Sequence, residues 1–406
     1  IVIALLSFVV ARAEERRGRR NDSADALVAW AVMATLGTLV LAVVLVGGVG
    51  PEGQAMGVYA TYVWTGLVTS LVVSRFWALL GAQLSITDAK RLYGLIGAGA
   101  VVGAVLGSAS AAVAALVVPA DAMLFGSAAA FAAAAAVGLL LRRILGEGAA
   151  PSRGKAPPLP LLRAIASLSH ARYQQRVVVL IVLGAATLTV GDFVFKSAVV
   201  AFIAPDTLGV FFGALGVLTN SLSLVMQLVV GPRIIAKGGV VGALVALPVL
   251  LALGGAGVAA GFGVLAAVLM RVGDGSLRYS LHRTASELLF VPMSTSVRGA
   301  MKVLDVLGQR LGQALASVAL LVAASWAVST EAAALGLVLL ALAWVAAVVE
   351  LRRHYLDVFR GDLRAGRLGD SVRLRGLDQA ALETVITALD SPEDAEVLAA
   401  LAFLER

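Results

Sequence analysis

The 406-residue chain contains no cysteine, which leaves no disulfide framework, no thiolate metal site and no thiol nucleophile. It is also poor in charge. Asp, Glu, Lys and Arg together make up 14% of it, where a soluble domain carries about 25%. The three histidines, His170, His282 and His354, lie far apart, and no metal-ligand spacing occurs. No Gly-x-x-x-x-Gly-Lys-Ser/Thr loop is present, so an ATP-driven pump of that class is excluded. No serine sits in a nucleophile elbow. No catalytic residue and no cofactor site is therefore expected, and the chain does not read as an enzyme. Apolar residues are abundant, at 60% with a mean hydropathy of +0.95. One aqueous core cannot hide that much, because a soluble surface must be largely polar. Composition thus excludes an ordinary soluble enzyme, a disordered chain and a coiled coil. It requires a polytopic membrane protein with lipid as its main surroundings.

A membrane-crossing helix needs about 20 apolar residues. Such runs lie at 1–11 (partial), 25–47, 55–82, 92–118, 121–143, 174–204, 207–230, 238–258, 261–284, 298–323 and 329–351. They are too long for barrel strands, and lipid forces each backbone to satisfy its own hydrogen bonds, so all are expected to be helices. The chain opens on Ile1 inside an apolar run, without an initiating Met or the features of a signal peptide. One further helix before Ile1 is expected.

Loop charges set the expected topology. One set of loops holds Arg16, Arg17, Arg19 and Arg20, then Lys90 and Arg91, then Arg142 to Arg176, then Arg233 and Lys237, Arg298, and Arg352 with Arg353. The alternate loops hold no Lys or Arg, only the acids Glu52, Asp121, Asp206 and Glu331. By the positive-inside rule the first set is cytoplasmic. The net charge of +7 is then a matter of orientation, and nucleic acid is not an expected partner. With one helix restored, twelve helices result, and both termini of the full protein lie in the cytoplasm of a bacterial cell whose inner membrane the chain crosses.

The linker 144–173 carries Gly146, Gly148, Pro151, Gly154, Pro157, Pro158 and Pro160 and divides the runs six and six. Its stretch 159–172 is amphipathic and suits the membrane surface. The division gives an N-terminal bundle at 1–143, the linker, a C-terminal bundle at 174–353 and a soluble tail at 354–406. The two bundles resemble each other. Arg75-Phe76 matches Arg278-Tyr279, and after a six-residue insertion Gly99, Gly103 and Gly107 match Gly308, Gly312 and Ala316. Small residues every fourth position allow close helix packing, and their recurrence in both bundles points to duplication. Two six-helix halves about an axis along the membrane normal is the major-facilitator architecture. The expected fold is thus an all-α, major-facilitator-like twelve-helix bundle, eleven helices visible, with a small soluble α-helical segment behind it. Within that segment 377–406 reads as helix, Asp390-Ser391-Pro392 turn and helix, as in one HEAT-type hairpin. The other reading is a short cytoplasmic tail.

Charges inside the spans are costly, about 2.5–3.5 kcal/mol each at the bilayer centre, and usually face the bundle interior. Asp192 and Lys196 share one face of run 174–204, as a structural ion pair or as a substrate site with its counter-charge. Run 261–284 places Arg271, Asp274 and Arg278 on one face. Arg271 and Asp274 fall near the midplane at about 1.5 Å per residue. The matching positions in the first half are Val68 and Leu71, so a ligand explains Arg271 better than packing symmetry does. The planar arginine fork suits phosphate or carboxylate. Lys302 and Asp305 lie near the cytoplasmic end of run 298–323, as part of an ionic gate or snorkelling to the interface. Asn220 and Gln227 bond either substrate or neighbouring helices.

These residues also resemble a known family. ITDAKRLYGLIGAGAVVGAVLG (86–107) resembles the "DEAKRFYPLFGLGAN" segment of the ATP/ADP translocases of plastids and intracellular bacteria. RYSLHRTASELLFVPM (278–293) followed by RGAMKVLDVLGQRLGQALA (298–316) resembles that family's "KYSLFDPxKExxYIPLD…KGKAAIDVVxxxxGKSGG". GDFVFKS (191–197) resembles its "xVExxWKS", and the likeness spans about 60–353. It implies a twelve-helix carrier that exchanges ATP for ADP or imports nucleotides. It places the family's acid at Asp192, its Lys at Lys196, its Glu at Glu287, and its Lys-Ala-Ala-Ile-Asp ends at Lys302 and Asp305. Ser286 stands where the family has Lys, and Arg283 lies one turn away.

The expected function is a secondary carrier for nucleotides such as ATP and ADP, or for another organic anion. Lys196, Arg271, Arg278, Asn220 and Gln227 would bind substrate. Asp192, Asp274 and Glu287 would balance charge or couple protons, and Arg75, Arg283, Lys302 and Asp305 would gate. The alternatives are a non-transporting scaffold or sensor that offers the helical repeat to a protein partner, and a facilitator carrier for a different organic anion.

Overall fold

The computed structural model describes residues 24–48, 50–83, 86–145, 172–290 and 295–364. Run 1–11, stretch 159–171 and the hairpin 377–406 lie outside the described residues, as does the side chain of Lys302. The helices are α1 (Ala24–Val46), α2 (Pro51–Gln83), α3 (Ile86–Ala114), α4 (Met123–Leu145), α5 (Arg172–Phe202), α6 (Leu208–Val225), α7 (Gly231–Gly257), α8 (Gly263–Leu277), α9 (Arg283–Leu288), α10 (Thr295–Ser325) and α11 (Thr330–Arg364). Three wide turns, in which each N–H bonds five residues back, lie at Met226–Val230, Val258–Phe262 and Arg278–His282. No strand occurs among the described residues. The protein is all-α.

Eight helical stretches among the described residues are long and apolar enough to cross a membrane. One of these stretches, Gly238–Glu287, holds two of the runs in the sequence, folded as two helices with a turn at Gly261–Gly263 between them. Within α3 the stretch Gly99–Ala114 is a shorter apolar helix among the described residues. At the other end, α11 continues to Arg364, so 354–364 is helical. A helix does not need lipid to continue past the interface.

The surface is inverted relative to a soluble protein. On α1 the buried stripe is Leu27, Ala31, Ala34, Thr38, Ala42 and Leu45, at helical spacing and mostly small. The opposite face, with Leu36, Val40 and Val43, is apolar and exposed. A helix apolar all round suits lipid, where helices associate by close packing of small residues.

The chain divides into two compact units, Ile1–Ala156 with Asp206–Val217, and Pro157–Pro205 with Leu218–Arg406. In the first, Trp64 lies against Gly37 and Leu45 against Gly57, so α1 and α2 run antiparallel. Trp64 Nε1 donates to Thr38 Oγ1 at 3.2 Å. Leu27, Ala31, Ala34, Val68, Val72, Leu79 and Ala135 form its core. The start of α6 packs antiparallel on α3, where a Cβ at Gly213 would fall 2.6 Å from the Ala112 backbone.

In the second unit α5 is central. Gly308 and Gly312 of α10 approach Ile181, Val182 and Ala185, a parallel pairing. Gly184 admits the ring of Trp344 from α11, while Arg176 pairs with Glu350 at 2.9 Å, an antiparallel pairing. Tyr173 donates to the Leu289 carbonyl at 2.8 Å. α7 and α8 form an antiparallel hairpin, with Gly254 on Met270, Gly257 on Ala266 and Leu250 on Gly273. Its turn uses Gly261 (φ 88°) and Gly263 (φ 55°), conformations that a side chain would strain.

Candidate functional site

Five charged side chains of the second unit form one ladder of alternating sign. Lys196 Nζ meets Asp192 Oδ2 at 2.7 Å. Asp192 Oδ1 meets Arg271 Nη1 at 3.2 Å, which carries the ladder from α5 to α8. Arg271 Nη1 also donates to Asp274 Oδ2 at 3.3 Å. Arg278 grips Asp274 with two bonds, Nε to Oδ1 at 2.8 Å and Nη2 to Oδ2 at 2.6 Å. Three cations and two anions leave a formal surplus of one positive charge.

Local sequence explains the geometry. Spacings of three and four residues bring Arg271 and Arg278 to either side of Asp274 on one helix face. Asp274 is flanked by Gly273 and Gly275, which let Leu250 of α7 and Thr219 of α6 press close. The side chain of Asp274, between the two glycines, is 7% exposed. Exposure then rises along the ladder, from 26% at Arg278 and 34% at Arg271 to 49% at Lys196. Arg271 lies 5.4 Å from the centre of the buried Phe195 ring, and Arg278 5.9 Å from that of Tyr279. A guanidinium over an aromatic face is attracted by the ring quadrupole and held in orientation. Arg278 also opens the wide turn Arg278–His282, a distortion that often marks functional positions in helices. That turn packs against the wide turn Met226–Val230.

A second group lies further along the chain. Arg283 Nη2 pairs with Glu287 at 2.8 Å and Nη1 reaches Asp305 of α10 at 4.0 Å. Gln309 Nε2 donates to Asp305 Oδ1 at 2.8 Å. Of the expected gate residues, this brings Arg283 and Asp305 together. Arg75, on α2, belongs to the other unit. Asn220 is half-buried on α6 beside Thr219, while Gln227 is exposed on the wide turn Met226–Val230.

Sequence reasoning missed Phe195, Tyr279 and Gln309 as participants. Their signals are an aromatic one residue before Lys196, an aromatic beside Arg278, and an amide one turn after Asp305. The Gly-Asp-Gly triplet at 273–275 is a stronger signal, because two glycines around an intramembrane acid announce close neighbours. His282 stands edge-on to Trp344, ring centres 5.2 Å apart. Among the described residues no group of three or more His, Cys, Asp or Glu is placed to hold a metal ion.

The ladder holds its cations between carboxylates and rings, with one positive charge in formal excess. Neither the family models nor the curated proteins searched contain a match to this chain.

Proposed function

We propose that the chain is a secondary carrier for an organic anion, nucleotides such as ATP and ADP above all, that works by alternating access in a bacterial inner membrane. The ladder Lys196–Asp192–Arg271–Asp274–Arg278 is the observation that carries this reading. Charges inside apolar spans are expensive, and an intramembrane ladder with a surplus cation is well matched to a negatively charged cargo. The resemblance of 86–107, 191–197, 278–293 and 298–316 to the ATP/ADP translocases supports the nucleotide and the twelve-helix, major-facilitator-like form. In this reading Arg271, Arg278 and Lys196 hold phosphate oxygens, Asp192 and Asp274 balance charge, and Arg283, Glu287 and Asp305 form a breakable latch.

The test is uptake of labelled ATP by proteoliposomes containing the purified protein. Uptake accelerated by ADP trapped inside is the expected result. No uptake and no ADP-driven exchange would reject the nucleotide version, and the same assay with other organic anions would then test the broader one. One observation favours a second reading, a non-transporting scaffold: each charge of the ladder already has a partner of opposite sign within the chain, as a purely structural lock would. A ladder that ignores every added anion would support that reading.

A further inference from the structure

The ladder treats its two carboxylates differently, and the difference indicates how a ligand enters. Asp274 is 7% exposed and receives three bonds from Arg271 and Arg278, all from its own helical segment. Asp192 is 33% exposed and accepts from Lys196 on its own helix and from Arg271 across to α8. One of its oxygens faces each cation, Oδ2 toward Lys196 at 2.7 Å and Oδ1 toward Arg271 at 3.2 Å. Asp274 is therefore a fixed part of the frame. Asp192 is the looser of the two, because its partners are more exposed and solvent screening weakens its hold on them.

We infer that Asp192 is an internal stand-in for the substrate's anionic group, and that the substrate binds by displacing it from Lys196 and Arg271. This rests on the carrier reading above and names the recognised chemistry. Two cations that each hold one oxygen of a single carboxylate present the bite of a two-oxygen group. A terminal phosphoryl group or a carboxylate fits that bite, as the planar guanidinium fork prefers. A neutral or cationic solute does not. Displacement has a mechanical consequence as well. The Asp192–Arg271 contact joins α5 to α8, whereas Lys196–Asp192 and the bonds to Asp274 lie within single helical segments. An incoming anion thus takes over Arg271 and releases the ionic link between α5 and α8.

The inference makes an unusual demand: removing an acid must strengthen anion binding. Asp192→Asn keeps the shape of the side chain and removes the competing charge. The purified full chain in nanodiscs, titrated with inorganic phosphate at low ionic strength, should bind it about tenfold more tightly as Asp192→Asn than as wild type, the size of effect that close charge pairs produce. Lys196→Gln should weaken binding. Asp192→Asn added to Lys196→Gln preserves the net charge of the ladder and should bind more tightly than Lys196→Gln alone. This pair of variants decides the matter if the single Asp192→Asn chain does not melt cooperatively. Equal or weaker binding on removing Asp192, in a folded variant, overturns the inference while leaving the carrier reading intact. Failure of phosphate, ATP and simple carboxylates to bind the wild type and every variant overturns both.

Discussion

The two units solve one packing problem with opposite materials. At the positions that match Arg271 and Asp274, the first unit has Val68 and Leu71, both buried. Val68 belongs there to a core with Leu27, Ala31, Ala34 and Val72. The sequence positions paired with Val68 and Leu71 in the second unit carry Arg271 and Asp274 of the ladder. The first unit thus packs apolar residues at these positions, where the second carries charge. Well-packed apolar residues often stabilise as well as a buried ion pair or better. A ladder retained at such a cost points to a use other than folding.

The comparison can be broken or sharpened by mutation. The largest effect is expected for Asp274→Ala, which strips both Arg271 and Arg278 of their shared counter-charge. Loss of one partner of a buried pair costs about 3–5 kcal/mol, and a denaturant or thermal melt in detergent should show it. Next comes the glycine stripe that recurs in both units. Gly312 lies against the Val182 carbonyl, whereas nothing among the described residues lies near where a Cβ on Gly103 would be. Gly312→Leu should destabilise by about 1–3 kcal/mol or more, and Gly103→Leu by much less, in the same melt. Equal effects would show that the stripe is used alike in both units. The smallest effect is expected for Trp64→Phe, which removes the bond to Thr38 and keeps most of the ring, at about 1 kcal/mol.

These contrasts also show what the sequence contained. The face shared by Arg271, Asp274 and Arg278 follows from helical spacing alone, as does the Asp192–Lys196 pair. The contact between Asp192 and Arg271 does not follow from spacing. It depends on the register of α5 against α8, where Phe202 of α5 lies 3.1 Å from the place a Cβ on Gly263 would take. Arg283 meeting Asp305 is likewise a tertiary outcome between α9 and α10. Span positions were legible because apolar runs are long and the loops between them are distinct. The continuation of α11 to Arg364 was not, because hydropathy marks where lipid stops and not where helical hydrogen bonding stops. Small residues every fourth position mark a packing face on α10, and there Gly308 and Gly312 pack on α5. The matching stripe on α3 shows the limit of such a reading, since small residues define a face without naming the helix that fills it.

The central claim, that the ladder serves an anion rather than the fold, is tested most directly by replacing its α8 part whole with apolar residues, as at Val68 and Leu71 of the first unit. The triple variant Arg271→Val, Asp274→Leu and Arg278→Leu leaves no buried cation without its carboxylate and leaves Asp192 paired with Lys196. Thermal unfolding in nanodiscs with rising ATP or phosphate is the measurement. The wild type should be stabilised in proportion to the logarithm of anion concentration once the site fills, as mass action requires. The variant should melt cooperatively within about 2 kcal/mol of the wild type, because an apolar replacement of a buried ionic group is often neutral, and should not respond to the anion. A variant that fails to fold while the wild type ignores every anion would contradict the claim and make the ladder a structural lock.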